Sequence, residues 1–153
     1  MNALQTLFLL ATGLSVALSQ HRVSLLDFKN QIECGMYSRP AWYYADYGCW
    51  CGKGGSGLTV DRLDRCCKAH DLCWRFAINH PQCRFILDLP YFRSYDYRCN
   101  PGTGEVTCLG TNNECQAFIC ECDKGAANCF ATSTYDNQYW NWPKTRCQRR
   151  SSV

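Results

Sequence analysis

Apolar positions recur at helical spacing in three stretches of the chain. Leu25, Leu26, Phe28 and Ile32 form the first, ending at Cys34 and Gly35, and predict a short amphipathic helix over about residues 25–34. From Asp61 to about Ile78 nothing breaks a helix. Asp61 suits its N-cap, Leu63, Cys66, Cys67, His70, Cys73, Trp74 and Ala77 cover one broad face, and Pro81 ends it. Asn113 to Phe130 is free of proline, with Gly125 its only glycine. Cys115, Phe118, Ile119, Cys122 and Cys129 make it a second long helix, capped by Asn112 or Asn113. Residues 36–60 are rich in Gly, Tyr and Trp without a steady period and read as loops, as do residues 84–94 around Pro90. Tyr95 to Cys108 alternates loosely about Asn100-Pro101-Gly102-Thr103-Gly104 and predicts a small β-hairpin. The tail, residues 131–153, is aromatic and then basic.

The N-terminus follows a different pattern. Residues 4–19 are apolar and close on Ala17 and Ser19, with no basic residue in front. We read residues 1–19 as a signal peptide; the stretch is marginal in length for a membrane span. Gln20-His21-Arg22 then reads as a short propeptide over residues 20–22, leaving one domain over residues 23–153.

Composition sharpens this picture. Fourteen of 153 residues are cysteine, an even count. Such usage belongs to a disulfide scaffold in an oxidising compartment, so the expected location is secreted and extracellular. A core this rich in loops is thin, and each native disulfide typically contributes ~2–4 kcal/mol. The formal net charge of +3 is too small to argue for nucleic acid and is compatible with an anionic lipid surface.

Three constellations could carry chemistry. His70 and Asp71 are neighbours on the first long helix, pointing about 100° apart, so they can address two adjacent atoms. Histidine is the commonest general base near neutral pH, and an aspartate can hold a hard cation. The loop Trp50-Cys51-Gly52-Lys53-Gly54-Gly55 can turn backbone carbonyls inward, as calcium prefers, although a tight disulfide-bounded turn would look the same. Asp123 follows Cys122 on the second long helix. If Cys73 and Cys122 were bridged, Asp123 could reach the His70 imidazole; spacing alone does not say which cysteines pair. The Cys-X-Cys pairs and the Cys66-Cys67 doublet lack the spacing of familiar zinc sites.

Together Tyr47-Gly48-Cys49-Trp50-Cys51-Gly52-Lys53-Gly54-Gly55, Cys66-Cys67-Lys68-Ala69-His70-Asp71-Leu72-Cys73 and Cys120-Glu121-Cys122-Asp123 resemble the secreted phospholipases A2, specifically the pancreatic type (group IB-like), over about Ser24 to Cys147. The resemblance implies a mainly α, disulfide-rich phospholipase A2 fold: two long antiparallel helices, a short N-terminal helix, a calcium loop and a small two-stranded β-wing. It implies the pairs Cys34–Cys99, Cys49–Cys147, Cys51–Cys67, Cys66–Cys129, Cys73–Cys122, Cys83–Cys115 and Cys108–Cys120. It also implies calcium-dependent hydrolysis of the sn-2 ester of glycerophospholipids. His70 is then the base that activates water, and Asp123 orients it, helped by Tyr95. Ca2+ is held by Asp71 and the carbonyls of Trp50, Gly52 and Gly54, with the Gly52 N–H as an oxyanion donor. The expected partner is a phospholipid membrane or micelle surface, met through Leu25, Leu26, Trp42, Lys53 and Tyr91, with a protein receptor as a further candidate. Trp140 and Trp142 either join that surface or pack the tail onto the core.

Three departures from the family pattern bear on activity. Trp50 replaces a tyrosine but supplies only a carbonyl. Trp74 replaces a tyrosine whose hydroxyl bonds the helix aspartate, leaving Asp123 to Tyr95 alone or to the indole N–H as well. Asp27 and Gln31 replace Gln and Met in the first helix, which puts the network joining the N-terminus to the site in question. The competing reading is an inactive member of the fold: a toxin, receptor ligand or matrix protein. Such members typically lose the base or the calcium aspartate, and this chain keeps both His70 and Asp71.

Overall fold

The computed structural model describes residues 24–35, 38–83, 90 and 93–148. The expected signal peptide, the propeptide and Tyr91 lie outside the described residues. Three helices, α1 (Ser24–Ile32), α2 (Arg62–Ile78) and α3 (Glu114–Ala131), accompany two strands, β1 (Tyr97–Asn100) and β2 (Glu105–Cys108). Short 3-10 turns at Ala41–Tyr44, Asn137–Tyr139 and Lys144–Cys147 occupy stretches expected to be irregular.

Local chemistry sets the ends of the long helices. Asp61 has extended backbone, and its carboxylate accepts the Asp64 N–H at 2.8 Å, satisfying one orphan donor of α2. Asn113, not Asn112, caps α3. Its side chain accepts from the Gln116 N–H while the Gln116 side chain accepts from the Asn113 N–H, a capping box. Asn112 instead ties the preceding turn, donating to the carbonyls of Asp96 and Leu109.

Seven disulfides staple the chain: Cys34–Cys99, Cys49–Cys147, Cys51–Cys67, Cys66–Cys129, Cys73–Cys122, Cys83–Cys115 and Cys108–Cys120. Two of them orient the long helices. Cys66 meets Cys129 and Cys73 meets Cys122, so numbers rise along α2 as they fall along α3. The helices are therefore antiparallel and linked at intervals of about two turns. One apolar cluster around Tyr44, Tyr47, Leu63 and Phe130 fills the end near residues 44–67, and a second around Ala77, Tyr95, Cys115 and Ile119 fills the other. β1 and β2 pair antiparallel, Tyr97 opposite Cys108 and Asn100 opposite Glu105. The two tail tryptophans divide. Trp142 packs on the first cluster, edge-on to Tyr139 and under the Arg146 guanidinium, whereas Trp140 is 52% exposed. Among the described residues no helix is long and apolar enough to cross a membrane.

Candidate active site

The helical pair brings His70 of α2 against Asp123 of α3. Asp123 is fully buried and accepts three hydrogen bonds. Its Oδ1 accepts from His70 Nε2 at 2.6 Å and from the Trp74 indole N–H at 2.7 Å, and its Oδ2 accepts from the Tyr95 hydroxyl at 2.5 Å. An ionised carboxylate only accepts, so Nε2 carries the imidazole proton and Nδ1 keeps its lone pair. The indole N–H thus supplies a bond to Asp123 where the family has a tyrosine hydroxyl. Burial foremost, then the Asp123 charge, pushes the Tyr95 hydroxyl far above its ordinary range, which keeps it a donor.

His70 is also fixed by its neighbours. The Phe28 ring of α1 stacks on the imidazole at 4.2 Å, and the Trp74 ring lies 4.7 Å away on a tilt. The pattern along α1 marks Phe28 as a core residue; only the packing of α1 against the long-helix pair makes it a wall of the site. Asp27 and Gln31 do not leave α1 detached. Asp27 is buried and accepts the Ser94 hydroxyl at 2.7 Å, one residue before Tyr95, and Ser24 donates to the Pro90 carbonyl. Gln31 donates to Cys120 Sγ, while its carbonyl oxygen is buried without a partner among the described residues.

A cavity of about 810 Å³ opens onto His70, lined by Leu25, Phe28, Trp50, Gly52 and Asp71 among others. The glycine loop forms one wall. Gly52 has φ +92°, and a Cβ there would strike the Ala45 carbonyl. A Cβ on Gly55 would come within 2.9 Å of an Asp71 carboxylate oxygen. Asp71 is half-buried, and burial foremost raises its carboxyl above the usual range, against the pull of His70 and Arg75. A desolvated carboxylate facing a glycine-shaped backbone loop is a donor set of oxygens, which suits a hard cation such as calcium. Among the described residues no cluster of His, Cys, Asp and Glu large enough to hold a metal by side chains alone occurs. A cation here would therefore depend on backbone carbonyls.

An imidazole hydrogen-bonded to a buried carboxylate, beside an oxygen-rich loop at one cavity, is an arrangement that can activate water for hydrolysis. The phospholipase A2 family model matches residues 25–140. Phospholipase A2 OS1 from Oxyuranus scutellatus scutellatus is 51% identical over 125 residues, covering 81% of this chain and 80% of that protein. The chain belongs to the phospholipase A2 family, enzymes that hydrolyse phospholipid esters at lipid interfaces and generally use calcium.

Proposed function

We propose that this chain is a secreted, pancreatic-type phospholipase A2 that hydrolyses the sn-2 ester of glycerophospholipids with calcium. The observation that carries the roles is the His70–Asp123 pair at 2.6 Å beside the loop and Asp71. Asp123 holds the imidazole so that Nδ1 faces the cavity and takes a proton from water as the water attacks the ester carbonyl. Trp74 and Tyr95 keep Asp123 in place. The Gly52 N–H donates to the oxyanion, and losing one such donor typically costs ~10²–10³ in rate. His70 then returns the proton to the leaving lysophospholipid oxygen, with no acyl-enzyme. Asp71 and the carbonyls of Trp50, Gly52 and Gly54 would hold the calcium ion, which when bound supplies positive charge to the developing oxyanion.

Leu25, Leu26 and Trp42 are exposed, and Leu25 and Lys53 line the cavity, which supports peripheral docking on a lipid surface. The Cys34–Cys99 bridge and the long segment between Cys83 and Cys99 support the pancreatic-type assignment. Cleavage after Arg22 would release the mature chain at Val23. N-terminal sequencing of the active protein is expected to begin there, and a fully active form beginning at Gln20 would remove the propeptide.

Release of sn-2 fatty acid from mixed phospholipid vesicles tests the whole reading. Activity should rise with calcium over ~10⁻⁴–10⁻³ M and vanish with chelator. No release by processed protein at saturating calcium would turn the assignment towards the non-enzymatic members.

A further inference from the structure

The mechanism above makes no use of Asp64, which is fully buried in the first turn of α2. Its partners are backbone amides of the glycine loop. Oδ1 accepts the Trp50 N–H at 2.7 Å, and Oδ2 accepts the N–H groups of Cys49 at 3.0 Å and Val60 at 2.9 Å. One carboxylate thus gathers both ends of the segment that runs from Cys49 to Val60. The backbone leaves room for it. Gly48 has φ +59°, and a Cβ there would lie 2.5 Å from Asp64 Cγ.

The hydrogen bonds bear on where one carbonyl points. Asp64 holds the two peptide planes leading into Trp50. The next plane is set by the Cys51 N–H, which donates to the Tyr47 carbonyl at 3.2 Å. In a trans peptide the Trp50 carbonyl then faces the opposite way from that N–H. We infer that Asp64 is a positioning residue for calcium: by anchoring both ends of the loop it presents the Trp50, Gly52 and Gly54 carbonyls ready to bind. Asp64 touches neither substrate nor cation. It removes the ordering cost that a loose loop would meet on binding, much as partners behind metal ligands do elsewhere. This rests on the calcium reading above.

The test is calcium binding by titration calorimetry on the processed, disulfide-bonded protein. Asp64→Asn puts a donor where the loop offers donors, and should weaken binding about tenfold or more, in the range usual for partners behind the ligands. Turnover at saturating calcium should fall much less than the affinity. Ile119→Val, in the other core cluster, lowers melting temperature without touching the loop and should leave the calcium affinity alone. A folded Asp64→Asn protein that binds calcium within twofold of wild type overturns the assignment. If that variant does not fold, Gly48→Ala and Asp64→Glu carry the test. Both shift the carboxylate without removing its charge; both should weaken calcium binding, and unchanged affinity in both overturns the assignment. A wild-type protein that takes up no calcium overturns the calcium reading itself, and this inference with it.

Discussion

Asp123 concentrates the chemistry of the site in a single side chain. It is buried, and imidazole, indole and phenol donors account for the bonds it accepts. Hydrogen bonds to a buried charge are each worth ~1.5–3 kcal/mol. Trp74→Phe removes one of them on the same oxygen that holds His70, so turnover should fall about tenfold. Trp74→Tyr should recover part of that loss if its hydroxyl reaches Asp123, and steady-state kinetics on the two variants checks this. Equal turnover in Trp74→Phe and wild type would show that Tyr95 suffices. His70→Gln and Asp71→Lys should each abolish calcium-dependent hydrolysis, and retention of more than a tenth of wild-type turnover by either would remove it from its role. Trp74 was ambiguous in the sequence because an indole offers one donor in one direction, and only packing settles where it points.

At the scale of elements, the helices begin where their side chains can cap them. Asn113→Ala loses the α3 capping box and should cost ~1 kcal/mol, read as a lower midpoint in denaturant with activity intact. Glu33, just past α1, accepts the Ala41 N–H at 2.9 Å and the Lys29 ammonium at 2.6 Å. The Lys29 bond first, then the Ala41 N–H, holds its carboxyl below the ordinary glutamate range. A depressed acid stabilises the fold above its unfolded value, and that contribution is lost as pH falls through the folded value. Glu33→Gln should therefore lower the melting temperature slightly near pH 7 and have no effect at acid pH below both values. An equal shift at both pH values would rule out the charged contact as its source. The Asp61 cap was legible because it is local, whereas the choice of Asn113 over Asn112 and the reach of Glu33 to Ala41 needed the folded chain.

The whole molecule is braced around its loop. The tail grips it from outside: Gly48 donates to the Tyr139 carbonyl, Leu58 donates to the Cys147 carbonyl, and the Lys144 ammonium donates to the Gly48 carbonyl. Cys49–Cys147 closes the longest span of the seven bridges, 98 residues. Replacing both cysteines with alanine should cost ~2–4 kcal/mol in thermal unfolding. It should also weaken calcium binding, because the loop loses its outer support. A drop in melting temperature with unchanged calcium affinity would assign the tail to stability alone.

By itself the sequence determined the helices, the hairpin, the cap at Asp61 and the chemical types at the site. These follow from periodicities of a few residues and from motifs that are contiguous in the chain. The resemblance already implied Asp123 on His70; only the tertiary structure decided the other meetings across long separations, Phe28 over the imidazole, Ser94 on Asp27 and Trp142 against the core. Asp64 left no mark in the sequence, since an acidic residue in the first turn of a helix is commonplace through the helix dipole alone. Its partners are backbone amides, which every residue but proline carries, so no pattern of side chains could point to them.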